Sequence, residues 1–415
     1  MLKILSSVLP VKSHSLKSAD FDKNNVSDTN KAAFDSDGSK CYNYLDNLAD
    51  INKLSVNFSG VQKINTSYPK HKIENYTASL IGGAVGDALG APVEFDSLNR
   101  IQHKYGSDGI TDLQLFNGKA DITDDTQMTI FTADGLIKSA LNGFDENALP
   151  DMKEVFDSYR DWLDTQYSHY HPTKNGWISN IPELYSRRAP GLTCTGSLKD
   201  GIPGSIERPL NSSKGCGGVM RVAPAGLMYY KNPEIAFETG ARCAAITHGS
   251  PDAYLAAGLH SAIISYIIQG QSLEDSVNNS LEIMKKYEGS ENLLKLMERA
   301  KELAASDMKD TSAIRILGEG WHGDEAIAIS VFCALRHQDD FKAAVISAVN
   351  HDGDSDSTGA ITGNIMGAYL GIDAIPQNWQ NQIELNQELR VLAQDLFSEP
   401  SKIESADKRY CAIQK

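Results

Sequence analysis

Asp352, Asp354 and Asp356 stand at alternate positions, with Gly353 and Ser355 between them and Ser357 and Thr358 directly after. An apolar, glycine-spaced run continues through Ile361, Ile365, Met366 and Leu370, so these carboxylates sit where a loop turns into a helix. One Asp or Ser is enough to cap the free N–H groups of a helix start. The surplus points to a second task, because carboxylates this close repel one another unless a cation neutralises them. Oxygen-only donors at that density suit a hard divalent ion such as Mg²⁺ or Ca²⁺. Far upstream, Thr123-Asp124-Asp125-Thr126 repeats the arrangement ahead of Met128, Ile130 and Phe131. The two acidic helix starts are expected to face each other across one metal site.

Rival readings of these residues are weaker. Asp352, Asp354 and Asp356 match the first three ligand positions of an EF-hand, but Ser357 stands where that loop needs Gly and Gly363 where it needs Glu. His351-Asp352 suits a His-Asp phosphohydrolase, yet only His248 and a few scattered histidines could complete its ligand set. Residues 214–221, Lys-Gly-Cys-Gly-Gly-Val-Met-Arg, form a glycine-rich turn that is neither a P-loop nor a dinucleotide fingerprint. Successive N–H groups there could hold phosphate oxygens; an ordinary tight turn is the alternative. Cys216 has no evident neighbouring base, which argues against a nucleophile. His248, before Gly249, ends a helical run, where the helix dipole alone favours it. Glu94, read alone, is a surface carboxylate.

The elements that must position these groups are helical. Gly82, Gly86 and Gly90 recur every four residues, as do Gly359, Gly363, Gly367 and Gly371. Residues four apart share a helix face, and glycine costs about 1 kcal/mol inside a helix. Two such files therefore predict helices packed backbone to backbone, with Asp87 and Asn364 marking a soluble core rather than a membrane pair. The first helix is expected from about Tyr76, with Thr77 as its cap. Further helices are expected over 122–141, 151–165, 233–247, 252–269, 273–287, 291–305, 324–336, 341–349, 358–370 and 381–397. Residues 99–122 read as mixed and 169–211 as a long irregular stretch. No sustained period-two alternation competes, so the fold class is all-α.

The 415 residues carry a net charge of −15, with pI near 5.1. That balance speaks against a nucleic-acid partner. The longest apolar run, 256–268, is too short to span a bilayer. Cys41, Cys194, Cys216, Cys243, Cys333 and Cys411 form no C-x-x-C pair and read as reduced thiols. With Ser6 and Ser7 breaking the first apolar run, a cytoplasmic location is expected. Three segments are expected: an extension over 1–72, a catalytic domain over 73–400 and a tail over 401–415. The extension is polar, but residues 42–58 carry spaced apolar anchors that suit a partner protein.

Gly86-Asp87-Ala88-Leu89-Gly90-Ala91-Pro92-Val93-Glu94-Phe95 resembles the opening motif of the ADP-ribosylglycohydrolase family. Thr123-Asp124-Asp125-Thr126-Gln127-Met128, the 215–224 loop with Met220-Arg221, Thr247-His248 and Gly353-Asp354-Ser355-Asp356-Ser357 complete that pattern in order. The likeness spans about 75–372 and is nearest to the bacterial dinitrogenase-reductase-activating type. It implies a compact, orthogonally packed all-α domain with two Mg²⁺ ions, or Mn²⁺, in a cleft. On matching positions it implies metal ligation by Thr123, Asp124, Asp125, Asp354, Asp356 and Ser357. It puts Glu94 near the scissile bond, with Glu94 and Asp125 as catalytic carboxylates. Gly215, Gly217, Gly218 and Met220 would hold the diphosphate, with His248 toward the adenosine. The substrate implied is an ADP-ribosylated protein, arginine-linked in the first instance. The family also includes immunity proteins against ADP-ribosylating toxins, so an ADP-ribosyltransferase toxin bound by the extension is an alternative partner. Residues recognising the modified side chain are expected within 150–211.

Overall fold

The computed structural model describes residues 70–410. The extension up to residue 69, with the 42–58 anchors, and residues 411–415 lie outside the described residues. The first half comprises α1 (Ile73–Gly90), α2 (Leu98–Tyr105), α3 (Asp124–Asn142), α4 (Met152–Tyr167), α5 (Leu192–Lys199), α6 (Ala223–Met228), α7 (Pro233–Ala245) and α8 (Pro251–Ile268). The second half comprises α9 (Leu273–Met284), α10 (Glu291–Ala304), α11 (Asp310–Leu317), α12 (Gly323–Arg336), α13 (Phe341–Val349), α14 (Ser355–Leu370), α15 (Gln377–Gln382), α16 (Asn386–Phe397) and α17 (Ala406–Arg409). Among the described residues there is no strand, only isolated bridges, and the fold is all-α. No helix there is long and apolar enough to cross a membrane.

The helix pair α1–α14 is the axis of the molecule. Its glycine files meet in antiparallel register. A Cβ on Gly82 would stand 2.4 Å from the Gly363 carbonyl oxygen, and one on Gly86 only 1.9 Å from that of Gly359. No side chain fits there, so the two backbones touch directly. Asn75, Ser79 and Asn364 bond across the seam: Asn75 Nδ2 donates to Ala368 O at 2.8 Å, Ser79 Oγ to Asn364 O at 3.0 Å, and Asn364 Nδ2 to Ser79 O at 2.8 Å. Around this axis, α8 is buried on nearly every face and α7 and α12 pack against it.

Several boundaries differ from the sequence expectation. α1 begins at Ile73, and Thr77 is a buried interior residue rather than its cap. Tertiary bonds pull the helix start upstream: Tyr76 Oη donates to Leu227 O at 2.9 Å. α2 lies almost wholly inside the stretch read as mixed, α5 inside the stretch read as irregular, and α11 outside every expected helix. Each is only eight residues long, too short for a strong period in sequence. After residue 400 the chain packs back: Tyr410 is buried and its Oη donates to Asp395 Oδ2 at 2.5 Å.

Candidate active site

Both acidic helix starts are set by α1. Asp87, fully buried on α1, accepts from Thr123 N at 3.0 Å, Thr126 N at 3.1 Å and Thr126 Oγ1 at 2.5 Å. It thereby ties the first turn of α3, which carries Asp124 and Asp125, to the helix axis. Thr123 caps α3 through its own hydroxyl, 3.3 Å from Asp125 N. At the other side, Asp354 caps α14 by accepting from Ser357 N at 3.2 Å. A Cβ on Gly90 would lie 2.3 Å from Ser355 O, so the first turn of α14 rests on the last turn of α1. Glu94 follows four residues later. Carboxylate oxygens of Glu94, Asp354 and Asp356 come within 4.8 Å of one another.

A cavity of about 670 Å³ opens over these groups. Glu94, Asp124, Asp125, Asp354, Asp356 and Ser357 line it, together with Gly215, Cys216, Gly217, Met220 and His248. The glycine loop forms a 3-10 turn over Cys216–Gly218, with Cys216 N donating to Trp321 O at 3.1 Å. Its glycines are needed for space: a Cβ on Gly217 would stand 3.1 Å from His248 Cε1 and 2.7 Å from Cys194 Sγ. His248 is fully buried, its Nδ1 2.8 Å from Thr247 Oγ1. Burial and nearby Arg221 lower its pKa to about 3, so its imidazole is neutral. Arg221 is itself buried against the Tyr159 ring and donates to Thr247 Oγ1 at 2.8 Å and Cys243 O at 3.0 Å. It locks the Thr247-His248 turn behind the loop.

The acids are under electrostatic pressure. Burial, then Asp356, Asp354 and Asp124, push Glu94 up to about 10. Burial raises Asp124 to about 8 with Asp356 and Asp87 adding to it, and raises Asp87 to about 7 with Asp356 adding to it. Asp125 and Asp354 rise well above the carboxylate range for the same reason, burial among like charges. Asp125 Oδ1 is buried with no hydrogen-bond partner. Among the described residues, no Lys or Arg pairs with Glu94, Asp124, Asp125, Asp354 or Asp356. Oxygen donors, an orphaned carboxylate oxygen and no Lys or Arg paired with these acids together fit a divalent metal ion.

The structure therefore gathers the site residues singled out in the sequence around one cavity, except Thr123, which caps α3 just beside it, and Gly218, which is buried behind the loop against Ala244. It also separates Asp352 from its neighbours. That carboxylate points away, accepting from Leu98 N in the first turn of α2 at 2.8 Å and pairing with Arg315 at 3.2 Å. His351 likewise faces the core, its Nε2 2.9 Å from Thr358 Oγ1, so a His-Asp metal centre is not assembled. Sequence reasoning missed the bridging role of Asp87 and the lock of Arg221, and named none of the wall residues Arg187, Pro190, Gly191 and Leu192, which fall within the 150–211 stretch. Gly191 N donates to Asp124 Oδ2 at 3.0 Å. Asp87 and Arg221 each carried a signal, a lone charge in an otherwise apolar segment.

A family model described as ADP-ribosylglycohydrolase matches residues 69–405. An ADP-ribosylarginine hydrolase of Pseudomonas putida is 24% identical, over 82% of this chain and 83% of its own length. The ADP-ribosyl-(dinitrogen reductase) glycohydrolase of Rhodospirillum rubrum is 25% identical, over 76% of this chain and 92% of its own. A solved structure described as an ADP-ribosylglycohydrolase-related protein complex matches with a TM-score of 0.55 at 24% identity, covering 80% of this chain and 99% of that one, a likeness of fold.

Proposed function

The chain belongs to the ADP-ribosylglycohydrolase family, a family of enzymes, and we propose that it is a Mg²⁺-dependent hydrolase removing ADP-ribose from modified protein side chains, arginine-linked ones first. One observation carries this reading: two acidic helix starts and Glu94 converge on a single cavity that a glycine loop closes.

Thr123, Asp124, Asp125, Asp354, Asp356 and Ser357 would hold the metal, two Mg²⁺ ions or Mn²⁺ in their place. Bound there, the metal would orient the ribose diol and activate the attacking water. With the metal holding its carboxylate ionised, Asp125, whose Oδ1 is buried and unpartnered, would accept the proton of the attacking water. Glu94, whose carboxylate stands beside Asp354 and Asp356, assists departure of the side-chain nitrogen. The N–H groups of Gly215, Gly217 and Gly218 receive the diphosphate oxygens. Met220 packs beneath, and neutral His248 stands toward the adenosine without adding charge.

The test is ADP-ribose release from arginine-ADP-ribosylated protein. EDTA should abolish it, and Mg²⁺ or Mn²⁺ should restore it. Asp124→Ala should be inactive while still folded. Full turnover in chelator would sink the metal reading. A partner role as an immunity protein rests on the spaced apolar residues over 42–58. For that reading, deletion of residues 1–69 should weaken capture of an ADP-ribosyltransferase and leave hydrolysis intact; equal capture removes it. The reduced thiols Cys194, Cys216, Cys243 and Cys333 support a cytoplasmic setting.

A further inference from the structure

Two aromatic rings stand exposed where the acidic cavity opens. Phe95 is 73% and Trp321 37% exposed, and both line the cavity that holds Glu94, Asp354 and Asp356. Their rings stack with centroids 5.8 Å apart and planes 20° from parallel. Phe95 directly follows Glu94, which sets the pair next to the acids of the cavity.

Trp321 is held rigidly. Its strap contains Gly318 and Gly320, at φ +133° and +83°, a backbone that other residues rarely adopt. The Glu325 carboxylate accepts from Glu319 N and Gly320 N, each at 3.2 Å. Trp321 O accepts from Cys216 N at 3.1 Å, and Glu319 O accepts from Asp354 N at 2.8 Å. The strap is thus bonded to the glycine loop on one side and to the acidic loop on the other. Beyond Trp321 lies a second cavity of about 500 Å³, lined by Glu319, Glu325, Asp352 and Arg315 among others. Arg315 pairs with Asp352 and His322 Nδ1 lies 3.6 Å from Glu325, so carboxylates outnumber the Lys and Arg side chains there.

We infer that Phe95 and Trp321 form the wall that receives the flat guanidinium of an ADP-ribosylated arginine as the bond beside Glu94 is cleaved, an inference that rests on the hydrolase reading of the same cavity. A guanidinium is planar, weakly hydrated and cationic, and it stacks on aromatic faces. A serine-linked substrate offers no such plane or charge. The acidic second cavity beyond Trp321 suits the polypeptide that carries the modified residue.

Trp321→Ala, Phe95→Ala and Trp321→Phe are compared with wild type on arginine-linked and serine-linked ADP-ribosyl peptides of matched sequence. Both alanine variants should lose on the order of tenfold in kcat/KM on the arginine-linked peptide, chiefly through KM. The serine-linked rate should change far less, and Trp321→Phe should keep most of the arginine-linked rate. Phe95 is exposed enough that its variant should fold. Equal losses on both linkages, or none, overturn the wall. A wild type that cleaves only the serine linkage also overturns it, while the hydrolase reading stands. A wild type that cleaves neither sinks the hydrolase reading. The wall is then decided by calorimetric titration of agmatine into protein saturated with ADP-ribose. Binding that Phe95→Ala and Trp321→Ala weaken supports it; no binding, or binding indifferent to both, overturns it.

Discussion

The same two helices build the tightest and the most strained parts of this molecule. Along the glycine files of α1 and α14, backbone meets backbone, the polar side chains of Asn75 and Ser79 are hydrogen-bonded, and Asn364 Nδ2 is bonded too. One turn beyond, at Gly90 and Ser355, the pair opens into Glu94, Asp354 and Asp356, where carboxylates crowd with no Lys or Arg paired to them. The contrast shows which part holds the fold and which part uses it. Close approach at the files fixes the acids within a few ångströms of each other. Repulsion there persists only because the packing behind it is rigid.

Substitutions in the two regions should therefore move stability in opposite directions. Gly363→Leu places a side chain where even a Cβ would lie 2.0 Å from Gly82 O. The helices must separate, at a cost on the order of 3–5 kcal/mol. A melting curve should show most of the cooperative transition lost, and an unchanged Tm would mean that the files do not touch. Asp354→Asn removes a charge from the crowded end. In metal-free protein its Tm should hold or rise, while ADP-ribose release falls by roughly a thousandfold. A large drop in Tm would make Asp354 a structural cap first.

The interior beneath the glycine loop titrates in the opposite sense to the acids. His260 on α8 is fully buried, its Nδ1 3.0 Å from Val219 O, and burial lowers its pKa to about 4. Its folded value lies below the unfolded one near 6.5, so the unfolded chain takes up the proton first. Stability should fall as pH drops from about 6.5 toward 4, by roughly 3 kcal/mol from this group. The crowded acids, raised in the folded state, instead favour the metal-free fold as pH drops. Denaturant melts of wild type and His260→Gln between pH 7 and 4.5 separate the two. Parallel curves for the two proteins would rule out His260 as the acid-sensitive group. The smallest effect belongs to the link between the regions. Thr126→Val removes one donor to Asp87 and should cost about 1–2 kcal/mol. It should also lower metal affinity through a looser α3 start, and no change in either would mean that the backbone donors alone hold Asp87.

Much of this was legible in the chain because it is local. Glycine at every fourth position, and Asp or Thr directly before an apolar run, are rules of a single helix, so α1, α3 and α14 and both acidic starts could be read from spacing. The glycine loop and Thr247-His248 were legible as motifs, while their shared wall was not. What spacing cannot carry is which face of a loop turns inward. Asp352, Asp354 and Asp356 look equivalent in sequence, and only the approach of α2 and Arg315 turns Asp352 out of the site. Thr77 satisfied the capping rule and lost to Tyr76, whose bond to Leu227 lies 151 positions away. Asp87 read as a polar interruption of an apolar helix until Thr123 and Thr126 were brought to it. Trp321 acquires its place from Cys216 and Asp354, through backbone bonds to two other loops. The sequence by itself determined the helices, their glycine seam and the chemistry available. The tertiary structure decided which of those groups share a cavity, because that depends on bonds between segments hundreds of residues apart.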